Sequence, residues 1–225
     1  MSDLDVGRSY YYEFLAYPLF FDENGLGFKS FLEQVNYLAK SPIDESNISD
    51  FETILGFDFD KFKNEQNSVF FDLSYVNVPL SASFYDEGRD DGNKRLKVME
   101  ILKSSDFRRN SQKCKVSEDY IGFIFRLMAT FLKSDLKLSR ELFEKIINDF
   151  SDEFTKMLSE HKAANFFKAY ANIYRNFIAL ERSILGIKAP IFEKSMAEIS
   201  MSKKPYQTKM PTQKSKINWD EFTAI

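Results

Sequence analysis

Residues 117–132, "SEDYIGFIFRLMATFL", carry Ile121, Ile124, Phe125, Met128, Phe131 and Leu132 at spacings of three and four. That spacing puts all six side chains on one side of a helix, and a face so apolar must be covered by other elements. Ser117 is the expected N-cap, with Glu118 and Asp119 suiting the positive end of the helix dipole. The rest of the chain agrees with a helical centre. Only 8 Gly and 6 Pro occur in 225 residues, too little turn chemistry for a fold of many short strands. With 44% hydrophobic and 16% aromatic residues, there is material for a sizeable core. The expected fold is all-α.

Further helices are expected over 4–21, 29–39, 93–102, 139–150, 152–161 and 163–185. In the first, Leu4, Tyr11, Leu15 and Leu19 share a face, while Arg8 and Glu13 call for a wetter setting. Residues 43–77 read as two short helices joined by turns, and 78–92 as a loop. In 93–102, Leu96, Met99 and Leu102 line one side. In 163–185, Phe166, Tyr170, Ile173, Phe177 and Leu180 align, and Gly186 is a natural stop. After Pro190 no apolar face is sustained, and five lysines fall between Lys203 and Lys216. Residues 1–190 therefore read as one all-helical domain and 191–225 as an extended, Lys-rich tail.

Several function classes find no support in the residues. The formal net charge of -3 does not suit a general nucleic-acid binder. A single cysteine, Cys114, gives no internal disulfide and no Cys-rich metal site. The acidic N-terminus lacks the order of a signal peptide, and no apolar run reaches the roughly 18 residues of a membrane span. The single histidine, His161, sits in a charged helical context and reads as a surface residue. "GLGF" at 25–28 lacks the downstream glycine of a phosphate loop, and no nucleophile elbow occurs. The acidic stretch 86–91 also fails the calcium test. Placing Gly92 at the sixth position of an EF-hand loop puts Arg89 at the third and Val98 at the twelfth, and neither can ligate. The chain reads as non-catalytic, without metal or cofactor.

Binding is the class that remains. "VPLSASFYDEGRDDG", residues 78–92, joins the aromatic pair Phe84 and Tyr85 to the carboxylates Asp86 and Glu87. The 117–132 helix opens with Glu118, Asp119 and Tyr120, and the first helix contributes a tyrosine cluster that includes Tyr12. An aromatic floor (Tyr12, Phe84, Tyr85, Tyr120) with an acidic rim (Asp86, Glu87, Glu118, Asp119) would suit a peptide with arginines beside an apolar segment. Carboxylates take guanidinium groups bidentately, and aromatic faces add cation–π attraction.

Three segments, in order, resemble the TorD/DmsD/NarJ family of molybdoenzyme-specific chaperones. "RSYYYEFLAYPLF" is similar to the family's opening motif through Arg8, Tyr12, Leu15, Ala16 and Phe20. "VPLSASFYDEG" resembles its second motif through Pro79, Ser83, Phe84 and Tyr85, and "SEDYIGFIFRLMATFL" its third through Asp119, Ile121, Gly122 and Met128. The chain departs from the pattern at Tyr120, where the family has histidine, at Ala82, where it has an acidic residue, and at Ser117, where proline is frequent. The resemblance implies a TorD-like all-α fold and a cytoplasmic, non-enzymatic chaperone. Its partner would be the precursor of a molybdenum or tungsten oxidoreductase, such as a formate dehydrogenase or an S/N-oxide reductase. The chaperone would bind the precursor's signal peptide and hold it for cofactor loading before twin-arginine export. The rival expectation is a helical scaffold acting through its tail, and the oligomeric state stays open between monomer and homodimer. The tail places lysines before Ile217, Trp219 and Phe222, the basic-then-apolar order of such a peptide, so it is expected to lie in the groove.

Overall fold

The apolar stripe at 121–132 behaves as its spacing requires: all six side chains are buried. The structure, a computed structural model, describes residues 2–72, 77–191 and 195–202. The chain runs through α1 (Asp3–Ala16), α2 (Phe28–Ala39), α3 (Ile48–Leu55), α4 (Phe59–Gln66), α5 (Ala82–Glu87) and α6 (Asn93–Lys103). It continues through α7 (Ile121–Ser134), α8 (Leu136–Leu142), α9 (Asn148–Glu160), α10 (Phe166–Leu185) and α11 (Met196–Ser202). Apart from one isolated β-bridge, no β-structure occurs among the described residues. The fold is all-α.

α7 packs most extensively against α1, and α10 packs on α9 and α3, with α2 against α3. The abundance of Phe and Tyr is explained by this core. Phe14 of α1 stacks on Phe31 of α2 and lies 6.0 Å from Tyr170 of α10, while Phe62 lies 4.9 Å from Phe166. Local signals set the ends. Ser2 and Asp5 form a capping box at the start of α1, and Gly186 closes α10 in the left-handed region at φ 65°.

Six expectations need correction. Residues 82–87 are helical rather than loop: Ser81 leaves an extended stretch, Tyr85 is buried as an anchor, and Gly88 ends the turn at φ 68°. α7 begins at Ile121, not Ser117, because 118–119 form a turn and Tyr120 is extended, bridged to Ser81; the Ser117 hydroxyl donates to Asp119 instead. The expected break at Ser151 is absent. Its hydroxyl donates to the Ile147 carbonyl, and the helix passes from α8 to α9 through a π-turn at Phe143–Ile147. On α6 the buried apolar residues are Val98, Ile101 and Leu102, while Leu96 is exposed. Arg8, expected in a wet setting, is buried against Glu181. Beyond Pro190, α11 adds a helix where an extended tail was expected, and the segment with Ile217, Trp219 and Phe222 lies outside the described residues.

Candidate functional site

The second and third sequence motifs meet backbone to backbone. Ala82 N–H donates to the Asp119 carbonyl and Ile121 N–H to the Leu80 carbonyl, both at 2.8 Å, so Ser81 and Tyr120 pair as an antiparallel bridge. The Asp119 carboxylate sits under this bridge. It accepts from the Ser81 hydroxyl at 2.7 Å and from the Ser117 hydroxyl at 2.6 Å, and it is fully buried. Burial pushes its pKa up, but the hydroxyls of Ser117, Ser83 and Ser81 outweigh that and hold the carboxyl below its usual value.

The first motif joins at the same place. The Tyr120 hydroxyl donates to the Leu19 carbonyl, and its ring lies 5.4 Å from that of Phe20. Gly122 makes the approach close: a Cβ there would stand 3.0 Å from the rings of Phe20 and Tyr120 and 3.2 Å from Leu19 Cβ. Gly122→Ala is therefore expected to cost about 1–3 kcal/mol by overpacking, although alanine favours helix. Thermal unfolding would show it as a lowered midpoint; an unchanged or raised midpoint would mean that Phe20 yields freely.

The expected groove is thereby redistributed. Tyr12 is fully enclosed between Phe177 and Phe125, with its hydroxyl donating to Glu181 at 3.0 Å. Tyr85 packs on Phe150 and Phe154 and donates to the Pro79 carbonyl. Both are core residues, because an aromatic ring on the inner face of a helix removes more surface from water there than it can on a rim. Glu118 is nearly buried and is held by Arg95 at 2.8 Å and Arg109 at 2.7 Å; burial raises its pKa, while the Arg95 hydrogen bond leads the effects that lower it. It and Asp119 organise the turn before α7 and present no carboxylate to solvent.

What remains open is the far end of α5 and the turn into α6. Phe84 is half-buried, Asp86, Asp90 and Asp91 are exposed, and Tyr120 is half-buried at the neighbouring turn. Glu87 accepts from Asn93 N–H at the start of α6 and pairs with Arg89, and Asp91 pairs with Arg95. Asp86 forms no ion pair among the described residues. The Asp90 pKa is pushed up, by partial burial of its carboxyl first and then by the Asp119 charge. Arginines thus compensate Glu87 and Asp91, while Asp86 and Asp90 leave net negative charge next in the chain to the half-buried Phe84. Asp90 belongs to this patch, although only its place in the acidic run signalled it.

Two other clefts suit a cationic peptide less well. One of about 260 Å³ is lined by Phe20, Phe107 and Phe123 together with Arg108, Arg109 and Arg126, so its charge has the wrong sign. Another, of about 610 Å³ between α1 and α2, includes Val6, Tyr10 and Tyr37 and none of the second or third motif. Among the described residues no group of three His, Cys, Asp or Glu is arranged to hold a metal ion, and no helix is long and apolar enough to cross a membrane.

Comparison with known proteins supplies a second line. A family model described as the nitrate reductase delta subunit matches residues 52–165, the stretch that contains α4 to α9 and the bridge between the motifs. Among solved structures, the chain is similar to that of an Archaeoglobus fulgidus protein named for redox enzyme maturation. The TM-score is 0.53 at 16% identity, over 80% of this chain and 96% of that one, a likeness of fold. No curated protein matches the chain.

Proposed function

Since the chain belongs to the nitrate reductase delta subunit family, a family of redox-enzyme maturation chaperones, we propose that it binds the signal peptide of a molybdopterin-dependent oxidoreductase precursor through the acidic end of α5. The supporting observation is the patch of Asp86, Glu87, Asp90 and Asp91 beside the half-buried Phe84. Guanidinium groups of the peptide pair with the carboxylates, and an apolar side chain following them covers Phe84. Holding the precursor in the cytoplasm keeps it from export until its cofactor is in place. In this reading the chain's contribution is binding.

Titration calorimetry with a synthetic peptide carrying an arginine pair and an apolar run tests the site. Reversing two charges, Asp86→Lys with Asp90→Lys, is expected to weaken binding at least tenfold, about 1.4 kcal/mol, and to flatten its salt dependence. The unfolding midpoint should hardly move, because both side chains are exposed. The wild-type complex should also show a negative heat-capacity change from the covered apolar surface. Equal affinity for the wild type and the double variant would place the peptide elsewhere.

A further inference from the structure

α11 does not hang free; it lies on α5. Ala197 is fully buried, and the Ser195 hydroxyl donates to Glu153 of α9. One close contact is at Gly88, next to Glu87 of the acidic patch. A Cβ built at Gly88 would come within 1.8 Å of Ser200 Oγ and 3.4 Å of the Met196 carbonyl. Gly88 thus serves twice, since the residue that turns the chain out of α5 at positive φ also, by lacking a Cβ, leaves room for the Ser200 side chain.

We infer that α11, seated at Gly88 beside the exposed carboxylates, stands in the path of the apolar part of a bound peptide, docked on the end of α5 when no peptide is bound and displaced when one binds. The inference rests on the proposed peptide site at α5 and adds its regulation. The physical case is the weakness of the seat combined with its permanence. Among the described side chains of α11, Ala197 is the one fully buried, and alanine removes little apolar surface from water. Such a segment would not bind as a free peptide. It docks because 187–195 tether it, and tethering supplies an effective concentration of roughly millimolar order. The tether begins close by, where Asn148 holds the Lys188 carbonyl at 3.0 Å, and continues through the almost fully exposed Ile191. A client peptide must therefore bind against a local competitor, and its apparent affinity is reduced by the fraction of molecules in which α11 is undocked.

Hydrogen exchange on the full chain gives the direct test, with the arginine-pair peptide as probe. Saturation with the peptide is expected to speed amide exchange in α11 while slowing it in α5. In a second arm, Ala197→Glu, which puts a carboxylate at a fully buried position of α11 without altering the patch, is expected to tighten peptide binding about five- to tenfold. Gly88→Asn serves as an independent variant, because asparagine tolerates the left-handed conformation while its side chain occupies the place of Ser200. Unchanged α11 exchange in the complex overturns the inference, and so does weaker binding by both variants, which would make α11 part of the peptide site. If neither the wild type nor the variants bind, the peptide-binding reading fails first and takes this inference with it.

Discussion

Replacing Arg8 with methionine is expected to lower the free energy of unfolding by about 3–5 kcal/mol, a large share of the roughly 5–15 kcal/mol that holds a domain together. Arg8 is buried, and its guanidinium donates to both oxygens of Glu181, at 2.5 and 3.0 Å, and to Asp5 at 3.1 Å. Glu181 has no exposed surface, and its other partner is the Tyr12 hydroxyl. Methionine fills much of the arginine's volume but leaves a carboxylate in the core with one neutral donor. The loss is therefore of charge compensation rather than of packing. Urea unfolding followed by circular dichroism measures it, and Arg8→Met with Glu181→Leu should recover most of the loss because no uncompensated charge remains. A single-variant loss below about 1 kcal/mol would show that water reaches Glu181.

Asp119→Asn carries the second large effect, about 2–3 kcal/mol at neutral pH. An amide in that place cannot accept two charge-assisted hydrogen bonds from Ser81 and Ser117, each of which is stronger than a neutral one. The loss should depend on pH, with a defined sign. The folded-state pKa of Asp119 lies below its ordinary value. Its contribution is thus fully present above the unfolded value of about 3.9 and disappears as pH falls through the lower folded value. The difference between wild type and variant should accordingly shrink below about pH 4. A difference that stays constant into acid would assign the effect to shape rather than to charge. Had Asp119 been the exposed helix-start carboxylate that residues 117–119 suggest, the substitution would cost less than about 1 kcal/mol.

The contrast between α7 and its own first turn shows what the residues alone disclose. Ile121 to Leu132 repeat with helical period over several turns, and periodicity of that length is hard to satisfy otherwise. α5 has six residues, less than two turns, and its pattern cannot be told from that of a loop. Charge was misread for a different reason. Nothing near Arg8 in sequence indicates burial, because the partner that makes burial tolerable is Glu181, 173 residues away. Tyr12 and Tyr85 look like a binding floor because a ring suits a groove and a core equally. Only the three-dimensional neighbours, Phe177 and Phe125 for one and Phe150 and Phe154 for the other, separate the two. The motif residues Asp119 and Gly122 are legible as special, but what they specify is how three segments join, and the accessible patch lies one turn away.

The contact between Arg8 and Glu181 also has a history in each molecule's synthesis. The residues are 173 positions apart, so at roughly 5–20 residues per second a ribosome takes about 10–35 s to deliver the second after the first. Through that interval α1 has been made with an aromatic face, Tyr11, Tyr12 and Phe14, whose covering helix α10 has not. The newborn chain is for that time a protein with its own exposed apolar helix and an unmatched arginine beside it.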